Sequence, residues 1–167
     1  MEMIVYNIPD CTGINIEVDT VMRMVDEGWT RTIKDSSGDA DHFGRLCAAT
    51  RGRGVAVFQG LCPHMATLVA QGAAGCVPVP GNLCPSLFAG AWKAAREGHT
   101  DLDRLQAVID CLWACLLKPG DFLTGTLHGL ARAGLMEERL PEPLTPVDAG
   151  RGAEIRAVLS ELKEWCP

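Results

Sequence analysis

Short apolar runs alternate with longer amphipathic segments over the first hundred residues of the chain. The apolar runs predict four β-strands, at residues 3–7, 32–34, 54–58 and 75–79, each followed by Pro, Gly or polar residues that suit a loop. Between these strands, apolar residues recur at steps of three and four, which predicts three amphipathic helices. The helices are marked by Val18, Val21, Met22 and Val25, by Phe43, Leu46 and Cys47, and by Met65, Leu68 and Val69. Such alternation is typical of a parallel α/β sheet.

After the fourth strand the pattern becomes entirely helical. It predicts helices at residues 87–97, 102–116, 122–133 and 151–164, with a proline-rich segment before the last of them. Four βα units are half of a (β/α)8 barrel, which usually needs about 250 residues. We therefore predict a partial TIM barrel over residues 1–97, with a helical region, residues 98–167, packed on it. A doubly wound sheet is the alternative, although no glycine-rich phosphate loop follows any of the strands.

Composition and charge exclude several classes of function. The 167 residues are 47% hydrophobic and carry a net charge of −6 with four lysines, so nothing favours a nucleic acid or an anionic membrane as partner. The apolar stretches are too short to span a bilayer, and the sequence starts without the features of a signal peptide. We expect a cytoplasmic protein whose eight cysteines are reduced thiols. Cys111 and Cys115 are interpreted as small buried hydrophobes of a helix, with a metal site as the alternative.

Lys34 and Tyr6 each close a predicted strand, which makes them the first candidates for chemistry. Lys34 would project from the rim of a barrel toward its interior, where desolvation favours the neutral amine that attacks a ketone to form a Schiff base. Tyr6, the one tyrosine of the chain, ends the neighbouring strand, so its phenol would reach a substrate held on Lys34 and move protons. A salt-bridged rim lysine and a buried core aromatic are the alternatives for the two positions.

Several motifs resemble the dihydrodipicolinate synthase/N-acetylneuraminate lyase family, and together they cover essentially the whole chain. They are Tyr-Asn-Ile-Pro at 6–9 with Thr-Gly at 12–13, Ile-Lys-Asp-Ser-Ser-Gly-Asp at 33–39, Val-Phe-Gln-Gly at 57–60, Gly-Ala-Ala-Gly-Cys-Val at 72–77, Asn82, and Arg-Leu-Pro at 139–141 with Pro-Leu-Thr-Pro at 143–146. The resemblance implies a class I aldolase or lyase in which Lys34 forms the Schiff base with pyruvate or another 2-oxo acid and Tyr6 relays protons. It also implies that Val77 lines the 2-oxo acid pocket, that Gly60 ends a barrel strand at the site, and that no metal or organic cofactor takes part.

The resemblance is to the C-terminal half of these enzymes, because the chain starts close to what would be their fifth barrel strand. It also departs from them in the candidate site. Cys11 stands where dihydrodipicolinate synthases usually carry an arginine that holds a substrate carboxylate, and Leu61 and Cys62 stand where many relatives have acidic residues. These departures disfavour aspartate semialdehyde and sialic acid as substrates and favour a less polar aldehyde or sugar-acid partner of unknown identity.

Two hypotheses about function follow from the missing half. In the first, the chain is a Schiff-base lyase that acts as a homo-oligomer or in association with the N-terminal half of a barrel. In the second, it is a catalytically inactive half-barrel whose behaviour is set by self-association. The second hypothesis is physically motivated, since an unpaired half-barrel exposes two sheet edges and the apolar lining of the barrel.

Overall fold

The computed structural model describes residues 3–62, 64–118 and 123–166 of the chain. Backbone contacts group the chain into two compact units, Met1–Pro78 and Val79–Pro167, here called the sheet unit and the helical unit. The helix that ends at residue 97 groups with the later helices. The domain boundary predicted after residue 97 stays a prediction.

The sheet unit contains four parallel strands in the order in which they occur along the chain. They are β1 (Met3–Asn7), β2 (Thr30–Asp35), β3 (Ala56–Gln59) and β4 (Gly75–Cys76). All four predicted strands are present, and the predicted bounds of β1 are those observed. The prediction for β4 was too long, because Pro78 has no N–H to donate to a ladder and a 3-10 turn begins at Val79.

The helices of the sheet unit follow the strands in alternation. They are α1 (Pro9–Thr12), α2 (Val18–Asp26), α3 (Ala40–Thr50) and α4 (Met65–Gln71). The periodicity found the last three of these, whereas the single turn of α1 is too short to give a periodic signal. Asp39 caps α3, since its carboxylate accepts a hydrogen bond of 2.9 Å from the backbone N–H of His42. The chain is therefore a succession of βα units, as the sequence predicts.

One face of the sheet is buried under helices and carries the core of the sheet unit. Successive side chains of a strand point to opposite faces, and in β2 and β3 Ile33 and Val57 are almost fully buried on the same side. Phe43 and Leu46 of α3 are also buried completely, and α3 contacts β3. Residues of the opposite face are more accessible, and Ile4 in β1 is 63% exposed. The helices thus cover a single face of the sheet.

The helical unit begins with the 3-10 turn at Val79–Asn82 and continues with four helices. These are α5 (Pro85–Glu97), α6 (Leu102–Leu116), α7 (Thr124–Arg132) and α8 (Ala149–Glu161). Their buried side chains form its core, with Leu87, Ile109, Leu112, Leu116 and Ile155 each no more than 1% exposed. Residue 122, the predicted start of α7, lies outside the described residues. The predicted last helix occurs, but it ends three residues earlier than expected.

The cysteines correct two expectations from the sequence. Cys84 and Cys166 form a disulfide between Cα atoms 4.4 Å apart, so the expectation of eight reduced thiols is wrong for this pair. The two residues are 82 positions apart, and no local spacing signals their contact. Cys111 is exposed and Cys115 only partly buried, so the interpretation as buried hydrophobes is wrong for Cys111. The apolar run of α6 shows a helix, but this cysteine lies on its outer side.

Candidate active site

Tyr6 and Lys34 meet at the carboxyl ends of two adjacent strands. The two residues are direct partners in the parallel register of β1 and β2, so both side chains project from the same face. The Lys34 ammonium lies 4.4 Å from the centroid of the Tyr6 ring, within the range of a cation–π contact. Lys34 is half-buried and Tyr6 is 41% exposed, so the tyrosine is not a core aromatic. The juxtaposition that the sequence predicts is present, and the chemical roles of the two residues stay predictions.

Ser36 extends this pair to a third polar side chain. Its Oγ donates a hydrogen bond of 3.4 Å to the phenolic oxygen of Tyr6, and the residue is largely buried. Ser36 was not among the site residues predicted from the sequence. A signal was available, because hydroxyl residues directly after a strand that ends in a candidate nucleophile are well placed to contact it. The Tyr6 side chain therefore has the Lys34 amine over its ring and the Ser36 hydroxyl at its phenolic oxygen.

Gly60 lies against both Lys34 and Ser36 at the end of β3. A Cβ atom at this position would collide with Ser36 Oγ and would lie 3.2 Å from Lys34 Cε. The Gly60 N–H donates to the backbone oxygen of Asp35 at 2.8 Å, which fixes the turn after β3 against the end of β2. Glycine is thus required here by space, because the backbone approaches two side chains of the candidate site closely.

Val77 lies just beyond β4, at the same end of the sheet. It is 48% exposed, and its N–H donates a hydrogen bond of 2.9 Å to the backbone oxygen of Gln59. Since this N–H is used within the sheet, a contact between Val77 and a ligand would involve other atoms of the residue. Its place in a 2-oxo acid pocket stays a prediction.

A buried polar layer supports the site from the opposite face of the sheet. Asp35 is completely buried, and its carboxylate accepts hydrogen bonds from Asn7 Nδ2 at 2.7 Å and Ser37 Oγ at 2.9 Å. Asn7 Nδ2 also donates to Asn15 Oδ1 at 2.7 Å, and the ring of His42 lies 3.9 Å from Asp35. Asn7 and Asp35 are register partners that directly follow Tyr6 and Lys34. The layer therefore holds the two strand ends together beneath the candidate site.

The three residues that depart from the family pattern differ in their exposure to solvent. Cys11 is exposed on α1, Leu61 is half-buried, and Cys62 is buried at 1% exposure.

Among the described residues, no group of three His, Cys, Asp or Glu side chains is placed to hold a metal ion. None of the helices in the described ranges has the length and apolarity needed to cross a membrane.

The fold and the site together indicate a structural class of protein. Four βα units in sequential strand order, with polar side chains at the carboxyl ends of the strands, form part of a (β/α)8 barrel. The model of the dihydrodipicolinate synthetase family matches residues 1–162, and the chain belongs to that family.

Individual relatives agree with this assignment and show its extent. The chain is 29% identical over 164 residues to 4-hydroxy-tetrahydrodipicolinate synthase from Rhodopseudomonas palustris, covering 94% of this chain and 53% of that enzyme. It is 31% identical over 160 residues to the enzyme of the same name from Marinobacter nauticus, covering 95% and 54% of the two chains. The structure of dihydrodipicolinate synthase from Bacteroides thetaiotaomicron superposes with a TM-score of 0.87 at 23% identity, over 96% of this chain and 56% of that one.

These matches decide between the two folds considered from the sequence. They also show how much of each relative the chain covers. The superposition on a barrel enzyme excludes the doubly wound sheet considered from the sequence. The chain spans about half the length of the curated relatives it matches.

Proposed function

We propose that this chain supplies the imine-forming half of a class I aldolase or lyase. In this proposal the neutral amine of Lys34 attacks the C2 carbonyl of pyruvate or another 2-oxo acid. The carbinolamine then loses water to give a protonated Schiff base, which acts as the electron sink for making or breaking a bond to an aldehyde or sugar-acid partner. The observation that carries the proposal is the placement of the Lys34 amine 4.4 Å from the Tyr6 ring at one rim of a parallel sheet.

The position of Lys34 distinguishes it from the other lysines. Lys93, Lys118 and Lys163 are exposed, and Lys118 pairs with Glu154 at 2.9 Å. Lys34 is the penultimate residue of β2, and it is half-buried with its ammonium over an aromatic face. Class I chemistry needs an amine within reach of the substrate carbonyl, and the carboxyl end of a barrel strand is where such a group is expected.

Tyr6 and Ser36 are the groups available to move protons at the new imine. The Tyr6 phenol accepts a hydrogen bond from Ser36 Oγ, so it can give up its own proton while keeping a hydrogen-bonding partner. A proton taken from the carbinolamine or from the carbon next to the imine would pass to or from this phenol. Gly60 lets the turn after β3 approach Ser36 and Lys34 closely, and Val77 is the further residue proposed to line the pocket.

The proposal includes a partner that completes the barrel. On the sheet face that carries Tyr6 and Lys34, Ile4 is 63% exposed and belongs to an edge strand. An apolar strand with an open edge is a template for association. We therefore expect either a homo-oligomer or a complex with four further βα units, and no nucleic acid or membrane partner.

A cytoplasmic location is the remaining part of the proposal, and the disulfide bears on it. A disulfide between Cys84 and Cys166 favours a compartment that is less reducing than a typical cytosol. Free-thiol counting on protein from a fractionated cell, with and without prior reduction, decides between the two locations. Recovery of the chain in the cytoplasmic fraction would support the proposed location, and six free thiols before reduction against eight after it would show that the disulfide forms there.

The test of the enzymatic proposal is borohydride trapping. The purified chain is incubated with pyruvate and reduced with sodium borohydride, and the modified lysine is located by peptide mass. We expect one adduct on Lys34, none in Lys34→Ala, and an unchanged adduct in the matched control Lys93→Ala, whose lysine is exposed on α5. Tyr6→Phe keeps the aromatic ring and should slow trapping by roughly 10-fold or more.

The opposite result supports the second hypothesis about function. If a folded sample yields no adduct on Lys34 with pyruvate or a longer 2-oxo acid, the proposal for the chain alone is wrong. The observation that favours this inactive, self-associating half-barrel is the same exposed apolar strand, β1. Sedimentation velocity on that sample then shows whether the exposed face drives association.

A further inference from the structure

Two cysteines that the proposed reaction does not use converge beside the candidate site. Cys76 in β4 is the register partner of Gln59 in β3. Cys62 follows three residues after Gln59, and its Sγ lies 3.7 Å from the Gln59 backbone oxygen. That same oxygen accepts the N–H of Val77, the residue after Cys76. Both cysteines are therefore held around one backbone carbonyl, close enough for a hydrogen bond between their side chains.

The backbone of Cys62 is held in a conformation that few residues adopt. Its φ is +51°, and among the described residues it is the one non-glycine residue with a positive φ. It is also almost completely buried. A β-carbon in the left-handed region is unfavourable, so the surrounding turn must hold it there. The turn after β3 thereby holds this buried thiol against the backbone oxygen of Gln59.

The hydrogen bond makes the two thiols chemically unequal. It raises the pKa of Cys62, which burial raises further, although the positive charge of Lys34 acts in the opposite direction. The same interaction lowers the pKa of Cys76, while the Cys62 thiol donates to the backbone oxygen of Gln59. Since the thiolate is the nucleophile in thiol chemistry, Cys76 would react first and Cys62 would follow.

We propose that Cys62 and Cys76 form a modification site that peroxides convert into an intramolecular disulfide. In the first step the sulfur of Cys76 attacks one oxygen of hydrogen peroxide, the O–O bond breaks, and the products are a sulfenic acid and water. In the second step the sulfur of Cys62 attacks the sulfenic sulfur, the S–O bond breaks, and a second water leaves with the Cys62 proton. Two thiols are oxidised by two electrons and one peroxide is reduced to two waters.

Cys47, another buried cysteine of the sheet unit, differs from Cys62 and Cys76 in its expected reactivity. Cys47 is buried in α3, and burial raises the pKa of its thiol to about 11. It is therefore protected from oxidation both by inaccessibility and by protonation. Cys62 is equally buried but has a sulfur neighbour, so a sulfenic acid on Cys76 is captured in place instead of being oxidised further.

The bond would be formed next to the proposed nucleophile. Cys62 lies two residues after Gly60, the residue that packs against Ser36 and Lys34 Cε. A disulfide from Cys62 to Cys76 would tie this turn covalently to β4. Its formation depends only on the two thiols and not on the proposed Schiff-base chemistry, so the two proposals can fail separately.

Peptide mapping after mild oxidation tests the site. The full chain, with free thiols intact, is treated with limiting hydrogen peroxide, alkylated with iodoacetamide and digested without reduction. We expect a cross-linked peptide pair joining Cys62 and Cys76, two hydrogen atoms lighter than the separate peptides, and its loss on treatment with dithiothreitol. It should form at least 10-fold faster than any cross-link of Cys11, Cys111 or Cys115, although Cys11 and Cys111 are exposed.

Two variants distinguish the cross-linking of Cys62 and Cys76 from general oxidation of the cysteines. Cys62→Ser should leave Cys76 as a sulfenic acid, detected by a dimedone adduct, whereas the matched control Cys47→Ser should form the cross-link at the unchanged rate. The proposal is wrong if the wild-type chain gives sulfenic or sulfinic acid at Cys76 without the cross-link. It is equally wrong if the cross-link forms no faster than those of the exposed cysteines.

Discussion

The two compact units of the chain achieve stability in different ways. The helical unit buries Leu87, Leu112 and Ile155 among four helices and is closed by the Cys84–Cys166 disulfide. The sheet unit covers one face of its strands with helices and leaves Ile4 and Tyr6 accessible on the other. The comparison shows that the candidate chemistry lies on the unit that is left open. Its strand ends are fixed by a buried polar layer around Asp35 instead of by packing from both sides.

Removal of the disulfide, which stabilises only the helical unit, should cause the largest loss of stability. Cys84→Ser opens a covalent loop that spans 82 positions, and we expect a loss of about 2–5 kcal/mol in the free energy of unfolding of the helical unit. Urea denaturation with a probe in this unit measures it. Cys111→Ser, at an exposed free cysteine, is the matched control and should change stability by less than about 0.5 kcal/mol.

Loss of the buried carboxylate should weaken the sheet unit next most strongly. Asp35→Ala leaves Asn7 and Ser37 without their acceptor in a dry environment, which should cost about 2–3 kcal/mol. Thermal unfolding followed by circular dichroism measures the change. Asp41→Ala, an exposed aspartate on α3, is the control. Equal stability of the two variants would show that the polar layer does not hold the strand ends together.

Overpacking at Gly60 tests how closely the turn approaches the candidate site. Gly60→Ala introduces a methyl group that collides with Ser36 Oγ, and we expect a loss of about 1–2 kcal/mol together with slower borohydride trapping at Lys34. The double variant Ser36→Ala/Gly60→Ala removes the colliding oxygen. It should recover part of the stability lost in the single variant, and additive losses would contradict the geometry.

The smallest predicted effect is a pH dependence confined to the helical unit. The hydrogen bond from His128, at 2.6 Å, and the nearby Arg132 lower the pKa of Glu138 below its ordinary value of 4.5. A carboxyl group whose pKa is lower in the folded state stabilises the fold above the unfolded pKa, and this contribution is lost as the pH falls through the folded pKa. Below about pH 4.5 the melting temperature of Glu138→Gln should therefore fall less than that of the wild-type chain. Parallel pH profiles would refute the assignment.

The sequence predicted the fold well because its signals are local. Alternating apolar runs and amphipathic segments located the strands, and the helix marked by Val18 and Val25 lies where the periodicity placed it. The prediction missed the single turn of α1 and the ends of some elements, as at Pro78, where the loss of a backbone donor stops the last strand. Lys34 and Tyr6 could be chosen because residues at the ends of adjacent parallel strands share a rim.

The candidate site could be predicted only in part, because several of its members depend on contacts across the fold. Ser36 is a neighbour of Tyr6 although the residues are 30 positions apart. Cys62 drew attention only as a departure from the family pattern, and its contact with Cys76 requires the turn after β3 to fold back onto β4. The position of Ser36 directly after β2 was a usable signal, whereas the spacing of Cys62 and Cys76 carries none.

The sequence by itself therefore determined the order of βα units, the helical second half, the family, and the pair Lys34 and Tyr6. These follow from periodicity and from short motifs, which act over a few residues. Only the tertiary structure decided that Cys84 bonds to Cys166, that Asp35 is buried beneath the site, and that two thiols meet beside Gly60. Those relations join residues brought together by the packing of whole elements, and distance along the chain carries no information about them.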